Sequence, residues 1–184
     1  MSEKQIEPIR SRVAVDYAIT ATKGNFASLT SNADQKANII IAITSLIFTI
    51  SIGQIGELEQ GYQISLIALM LFSLISLLLA IISVTPNYRQ KNKSFEKLSR
   101  EQINLFFFGH FSELTFEEFY AEMSLSLNDD ELLYKSLLKD LYQMGKVLHK
   151  EKFKILFLSY RFFFAGLLLS CLITFYEVLA GMLF

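Results

Sequence analysis

The sequence predicts an all-α integral membrane protein. It has three transmembrane helices, a helical cytoplasmic domain between the second and third, and a third span that continues a long cytoplasmic helix. Three observations predict this fold class. Charged side chains are missing from residues 37–56 and 60–88, and residues 162–184 carry only Glu177. Each gap suffices for a bilayer, since about 20 apolar residues cross a hydrocarbon core roughly 30 Å thick. Lys and Arg are partitioned between the gaps: five before residue 37 (Lys4, Arg10, Arg12, Lys23, Lys36), none in 54–61, 11 in 85–154 and none after 180. Finally, Leu133, Leu137, Leu141, Met144 and Leu148 recur every three to four residues and lead without interruption into the third gap.

The distribution decides more than the total. The chain is 52% hydrophobic, little above the roughly 45–50% of a soluble domain. A net charge of −1 supplies no global field for a nucleic acid. The single cysteine, Cys171, excludes an internal disulfide and a thiolate metal cluster. Residues 1–36 lack a long apolar run, so the first membrane-inserting segment is expected to be a true span and not a cleaved leader.

Residues 1–36 are expected to form a cytoplasmic arm. Ile9, Val13, Tyr17 and Thr20 share a helical face, with Pro8 near the first helical position and a break near Gly24. Residues 37–84 form a transmembrane hairpin with spans of about 37–54 and 62–84 joined by a polar turn. The first span carries Asn38, Thr44, Ser45, Thr49 and Ser51, and the second Ser65, Ser73, Ser76 and Ser83. Helix hydroxyls bond back to their own backbone, and rows of them mark faces that meet other helices. Thr85 precedes Pro86, which pushes it out of the helical region and sets a boundary.

Residues 85–153 form the cytoplasmic helical domain. It opens on a basic stretch, Arg89, Lys91, Lys93, Lys97 and Arg100, followed by an aromatic run from Leu105 to Phe111. Thr115-Phe-Glu-Glu118 has capping-box spacing and starts a helix. Asn128–Asp129–Asp130–Glu131 ends that helix and caps the next, which runs into a third span of about 154–180. The Lys and Arg partition places the amino terminus inside and the carboxyl terminus outside.

Two groups of residues are candidates for sites. At the membrane edge, Asp34 and Asn38 lie four apart on one helix face, while Lys36 between them points elsewhere. As cap and interfacial residues they need no further role; as a switch they would use polar groups that are costly at that depth. Arg161 falls about 9 Å into the third span. It either snorkels to the headgroups or pairs with Asp34 or with phosphates. In the polar domain, Arg89 and Arg100 suit either anionic lipid or a phosphate ligand. Asn104 and His110 flank the aromatic run, which serves as packing or as a base-stacking pocket. Two isolated histidines make no metal site, and no hydrolase, zincin, P-loop or dinucleotide motif is present, so no catalytic residue is expected.

Three blocks of the chain resemble the Pycsar transmembrane effector family. Leu29-Thr-Ser-Asn-Ala-Asp-Gln-Lys-Ala-Asn-Ile-Ile-Ile-Ala-Ile43 is similar to that family's Ala-Asp-x-Lys-Ala-Asn entry into a membrane helix. Asn104-Leu-Phe-Phe-Phe-Gly-His-Phe111 with the helix start at Leu114–Tyr120 resembles its second block, and Lys139–Lys150 its segment before the last span. The resemblance covers roughly residues 20–180. It implies a non-enzymatic membrane effector of bacterial antiphage defence, responding to cUMP or cCMP from a partner cyclase. Such an effector impairs the inner membrane and ends growth of the infected cell. Arg89, Arg100, Asn104 and His110 are then the expected ligand contacts, and Asp34, Lys36, Asn38 and Arg161 the membrane-edge switch. No cofactor is expected, and the partners are the bilayer, the cyclic mononucleotide and further copies of the chain. The competing reading is a ligand-independent membrane scaffold that docks a protein through residues 87–152.

Overall fold

The computed structural model describes residues 12–57, 59–85, 104–112 and 114–183, all of the regular structure being helical. The helices are α1 (Val13–Gln54), α2 (Gln60–Val84), α3 (Phe108–Phe111), α4 (Phe116–Leu127), α5 (Asp130–Val147) and α6 (Lys154–Leu183), with a π-helical segment, Leu148–Phe153, joining α5 to α6. Three helical stretches are long and apolar enough to cross a membrane: Val13–Gln54, Gly61–Val84 and Asp130–Met182.

The chain divides into two compact units. One comprises Met1–Ser28 and Pro86–Val147, the other Leu29–Thr85 and Leu148–Phe184. The expected helix start near Pro8 lies outside the described residues. The expected break near Gly24 does not occur, because α1 is continuous through it. An isolated glycine costs a helix only about 1 kcal/mol, and packing on both sides of Gly24 outweighs that.

In the first unit, the beginning of α1 runs parallel to α5. The Tyr134 hydroxyl donates to the Asp16 carboxylate, Lys23 pairs with Asp140, and a side chain at Gly145 would touch the Phe26 ring. The partners advance together along both helices, which fixes the direction. Thr115 caps α4 as its sequence requires: Glu118 N–H donates to Thr115 Oγ1 while Thr115 N–H donates to Glu118 Oε2 at 2.9 Å. Thr115→Ala removes the bond to Oγ1 while the backbone N–H of residue 115 still meets Glu118, and it is expected to cost about 1 kcal/mol, read as a lowered thermal midpoint of the detergent-solubilised protein. Asn128 closes α4, and Asp129 Oδ1 accepts from the backbone N–H groups of Glu131 and Leu132 to start α5. The Leu133–Leu148 stripe is half-buried or buried, whereas Leu132, Leu138 and Tyr142 face outward.

In the second unit, α2 runs antiparallel to α6. Gly61 meets Glu177, Ser65 meets Ser170 and Thr174, Phe72 meets Phe162, and Ser76 meets Ser159. The latter part of α1 runs parallel to α6, with Asp34 against Lys152 and the Lys36 carbonyl against Tyr160. The end of α2 and the beginning of α6 therefore share one end of this bundle. Thr85 follows α2 in an extended conformation, as its place before proline demands.

The core of this bundle sets small residues against large ones: Ala33, Ala37 and Ile40 of α1 with Ala80 of α2 and Leu156 and Phe163 of α6. All four serines singled out in α2 are buried, as are Thr44 and Ser51 of α1. Ser65 bonds Oγ to Oγ with Ser170 at 2.8 Å, and Ser76 with Ser159 at 3.0 Å. Asn38 and Thr49 face outward instead. Thr44, Ser45 and Thr49 donate to carbonyls three or four residues back, which removes the cost of placing a hydroxyl among apolar groups. The outward faces carry Ile39, Leu46, Ile64, Leu78, Leu168, Leu172 and Phe175. Such continuous apolar surface belongs against lipid, not water.

Candidate functional site

The Asn104–His110 turn is a hydrogen-bonded polar assembly of the first unit. Asn104 is buried, and its Oδ1 accepts from Phe106 N–H at 3.1 Å, an Asx turn that bends the chain. Its own N–H donates to His110 Nδ1 at 3.0 Å. This bond makes Nδ1 the acceptor and leaves the proton of the neutral ring on Nε2. The His110 ring stands edge-on to Phe107, with centroids 5.4 Å apart. Asn104 Nδ2 donates to Gln143 Oε1 at 2.7 Å and to Asp140 Oδ1 at 3.4 Å.

Asp140 anchors the assembly. It is 3% exposed, and its Oδ2 meets Lys23 Nζ at 2.9 Å. Lys23 also lies 5.3 Å from the centroid of the Phe106 ring, a cation–π geometry. A buried carboxylate needs such a cation and donor to hold its charge. On the same helix, burial and the neighbouring Lys135 hold the Lys139 ammonium below the ordinary lysine value.

Among the expected ligand contacts, the structure therefore brings Asn104 and His110 together. The Asn104 amide is engaged by the protein itself, so it shapes the turn. Arg89 and Arg100 lie outside the described residues. Lys23, Asp140 and Gln143 were not singled out from the sequence. The signal for Asp140 was available: it falls three residues after Leu137 and four before Met144, an acid on an apolar face.

At the membrane edge, Asp34 accepts from Lys152 Nζ with both oxygens, at 2.6 and 2.8 Å. Lys152 belongs to the π-helical segment, which widens the helix at the start of the second unit. The pairing of Asp34 with Arg161 does not form, since Lys152 occupies both oxygens. Arg161 is exposed and lies 5.8 Å from the centroid of the Phe157 ring. Tyr160 donates to the Lys36 carbonyl at 3.1 Å. Asp34 and Lys36 are thus both fastened to the Lys152–Tyr160 stretch, while Asn38 and Arg161 face elsewhere. Among the described residues, no group of three His, Cys, Asp or Glu side chains is placed to hold a metal ion.

The family model of the Pycsar effector protein domain matches residues 19–178, a range that takes in the Asn104–His110 turn, the Asp34–Lys152 pair and all three apolar helices. No curated protein and no solved structure matches the chain. With the family model spanning both units, the chain belongs to the Pycsar effector family, the membrane effectors of an antiphage defence system.

Proposed function

We propose that the chain is a cyclic-nucleotide-gated membrane effector. In this reading it lies in the bacterial inner membrane as a homo-oligomer, amino terminus inside and carboxyl terminus outside, with residues 85–153 in the cytoplasm. A partner cyclase supplies cUMP or cCMP during infection. Binding of that ligand makes the effector impair the membrane and ends growth of the infected cell.

The observation that carries the proposal is helical continuity. α1 contributes its first residues to one unit and its apolar residues to the other, and the stretch from α5 through the π segment to α6 does the same. Each unit is thereby joined to the other through helical backbone. In this reading Arg89 and Arg100 offer charge for the phosphate and His110 its ring for the base. Asp34, Lys36, Asn38 and Arg161 form the responding edge, with the Asp34–Lys152 pair as the contact that changes. The buried hydroxyls of Thr44, Ser65, Ser76 and Ser159 become groups able to line a leak once the helices part.

A ligand shifts such an equilibrium only by preferring one state. Moving it from about 1:99 to 99:1 takes about 5.5 kcal/mol, within reach of one mononucleotide per subunit in an oligomer. The test is dye release from liposomes carrying the folded protein. Release is expected on adding cUMP or cCMP and not on adding cAMP. Intact vesicles under all three nucleotides would overturn the proposal.

A further inference from the structure

A groove between α2 and α6 carries a charge that has no counter-ion among the described residues. Phe72, Leu158, Arg161, Phe162 and Ala165 line a cavity of about 270 Å³ whose wall is almost entirely apolar. Arg161, Leu158 and Ala165 lie on its exposed side. Residues spaced by four, three and four share one helical face, so Lys154, Leu158, Arg161 and Ala165 form a single stripe along α6. Lys154 is also exposed, and among the described residues neither Lys154 nor Arg161 takes part in an ion pair.

The depth of Arg161 makes this consequential. It lies seven residues beyond Lys154, about 10 Å along the helix axis, well inside a leaflet whose hydrocarbon is about 15 Å deep. A guanidinium at that depth is costly unless it reaches the interface or meets an anion. Helical side chains lean toward the amino end of their helix. The contact of Arg161 with Phe157, one turn earlier, follows that direction and turns the charge toward Lys154. The result is two cations on one stripe, one at the start of the span and one over an apolar groove.

We infer that this groove is a binding site for an anionic phospholipid of the leaflet at the amino end of α6. The phosphate sits between Lys154 and Arg161, and an acyl chain lies along Phe72, Leu158, Phe162 and Ala165. The charge selects the headgroup, because a zwitterionic lipid brings its own cation to the phosphate. The groove selects an acyl chain because its wall offers no polar partner other than Arg161. The site does not depend on any nucleotide response.

The test is native mass spectrometry of the full-length protein, released from bilayers with equal amounts of phosphatidylglycerol and phosphatidylcholine. The wild type is expected to retain phosphatidylglycerol about tenfold over phosphatidylcholine. Arg161→Gln is expected to abolish the preference, Lys154→Gln to weaken it, and Arg161→Lys to keep part of it. Ala165→Phe fills the groove without touching either charge and is expected to lose bound lipid of both kinds. Arg161, Lys154 and Ala165 are all exposed, so none of these variants disturbs the buried core. Equal retention of both lipids by the wild type would overturn the inference, as would a preference that survives Arg161→Gln. Full lipid retention by Ala165→Phe, or a changed subunit number with Arg161→Gln at unchanged lipid, would also overturn it by assigning the groove to a second copy of the chain.

Discussion

Gly166→Ala is expected to destabilise the protein by about 2 kcal/mol, and Gly166→Leu by more, although alanine is the better helix former by about 1 kcal/mol. A Cβ at Gly166 would run into Cβ of Phe72 and come within 3.1 Å of its Cγ and 3.7 Å of its Cα. Atoms that close to a backbone cannot be moved by changing a rotamer, so α2 and α6 must separate. Two other glycines provide the contrast. At Gly61 the obstruction is the carboxylate end of Glu177, which can swing aside, so Gly61→Ala is expected to change stability little. At Gly24 nothing lies within 4 Å of the added carbon, and Gly24→Ala is expected to stabilise by about 0.5–1 kcal/mol. Reversible unfolding in mixed detergent micelles measures all three. Three equal changes would show that backbone propensity, not the approach of α2 to α6, governs these positions.

Lys23→Met is expected to cost about 3 kcal/mol and Asp140→Leu roughly half as much. The asymmetry comes from what each substitution leaves behind. The Asp140 side chain is 5% exposed, so losing Lys23 strands a carboxylate that keeps, among the described residues, only the long contact from Asn104. The Lys23 side chain is 31% exposed, so losing Asp140 leaves a cation that reaches water. The double variant removes the stranded charge and is expected to be more stable than Lys23→Met alone. The coupling between the two sites is read from the thermal midpoints of the four proteins. Additive effects would mean that the contact contributes nothing to stability. Asn104 and His110 share the assembly, so circular dichroism in the aromatic region should report loosening of the Phe106–His110 turn in the same variants.

Much of the architecture was legible because its signals are local. Thr115 and Glu118, three residues apart, complete their bonds within one turn. Asn128 and Asp129 do the same at the next boundary, and Thr85 is held extended by the proline that follows. The serines of α2 were legible as a buried face because rows of hydroxyls in an apolar helix mark a face that meets other helices. Other features left no local signal. Nothing in Leu148-His-Lys-Glu-Lys-Phe153 announces a π-helical segment, since the same residues form ordinary helix elsewhere. The sequence offered Arg161 as a partner for Asp34 and did not point to Lys152, because a few residues of register along a parallel helix decide the pairing. Asp140 stands out as an acid on an apolar helix face, but its partners there, Lys23 and Asn104, left no local signal.

The amino-acid sequence by itself determined that this is a helical membrane protein with three apolar helices, and it carried the blocks that mark the effector family. Both are properties of composition over a window of about 20 residues or of residue order, and neither needs a partner in space. Only the tertiary structure decided that Gly166 admits Phe72, that Lys152 takes Asp34, and that Arg161 is left facing an apolar groove. Those outcomes depend on helix register. Register is set by the summed fit of many weak contacts, none of which is visible at any one position of the chain.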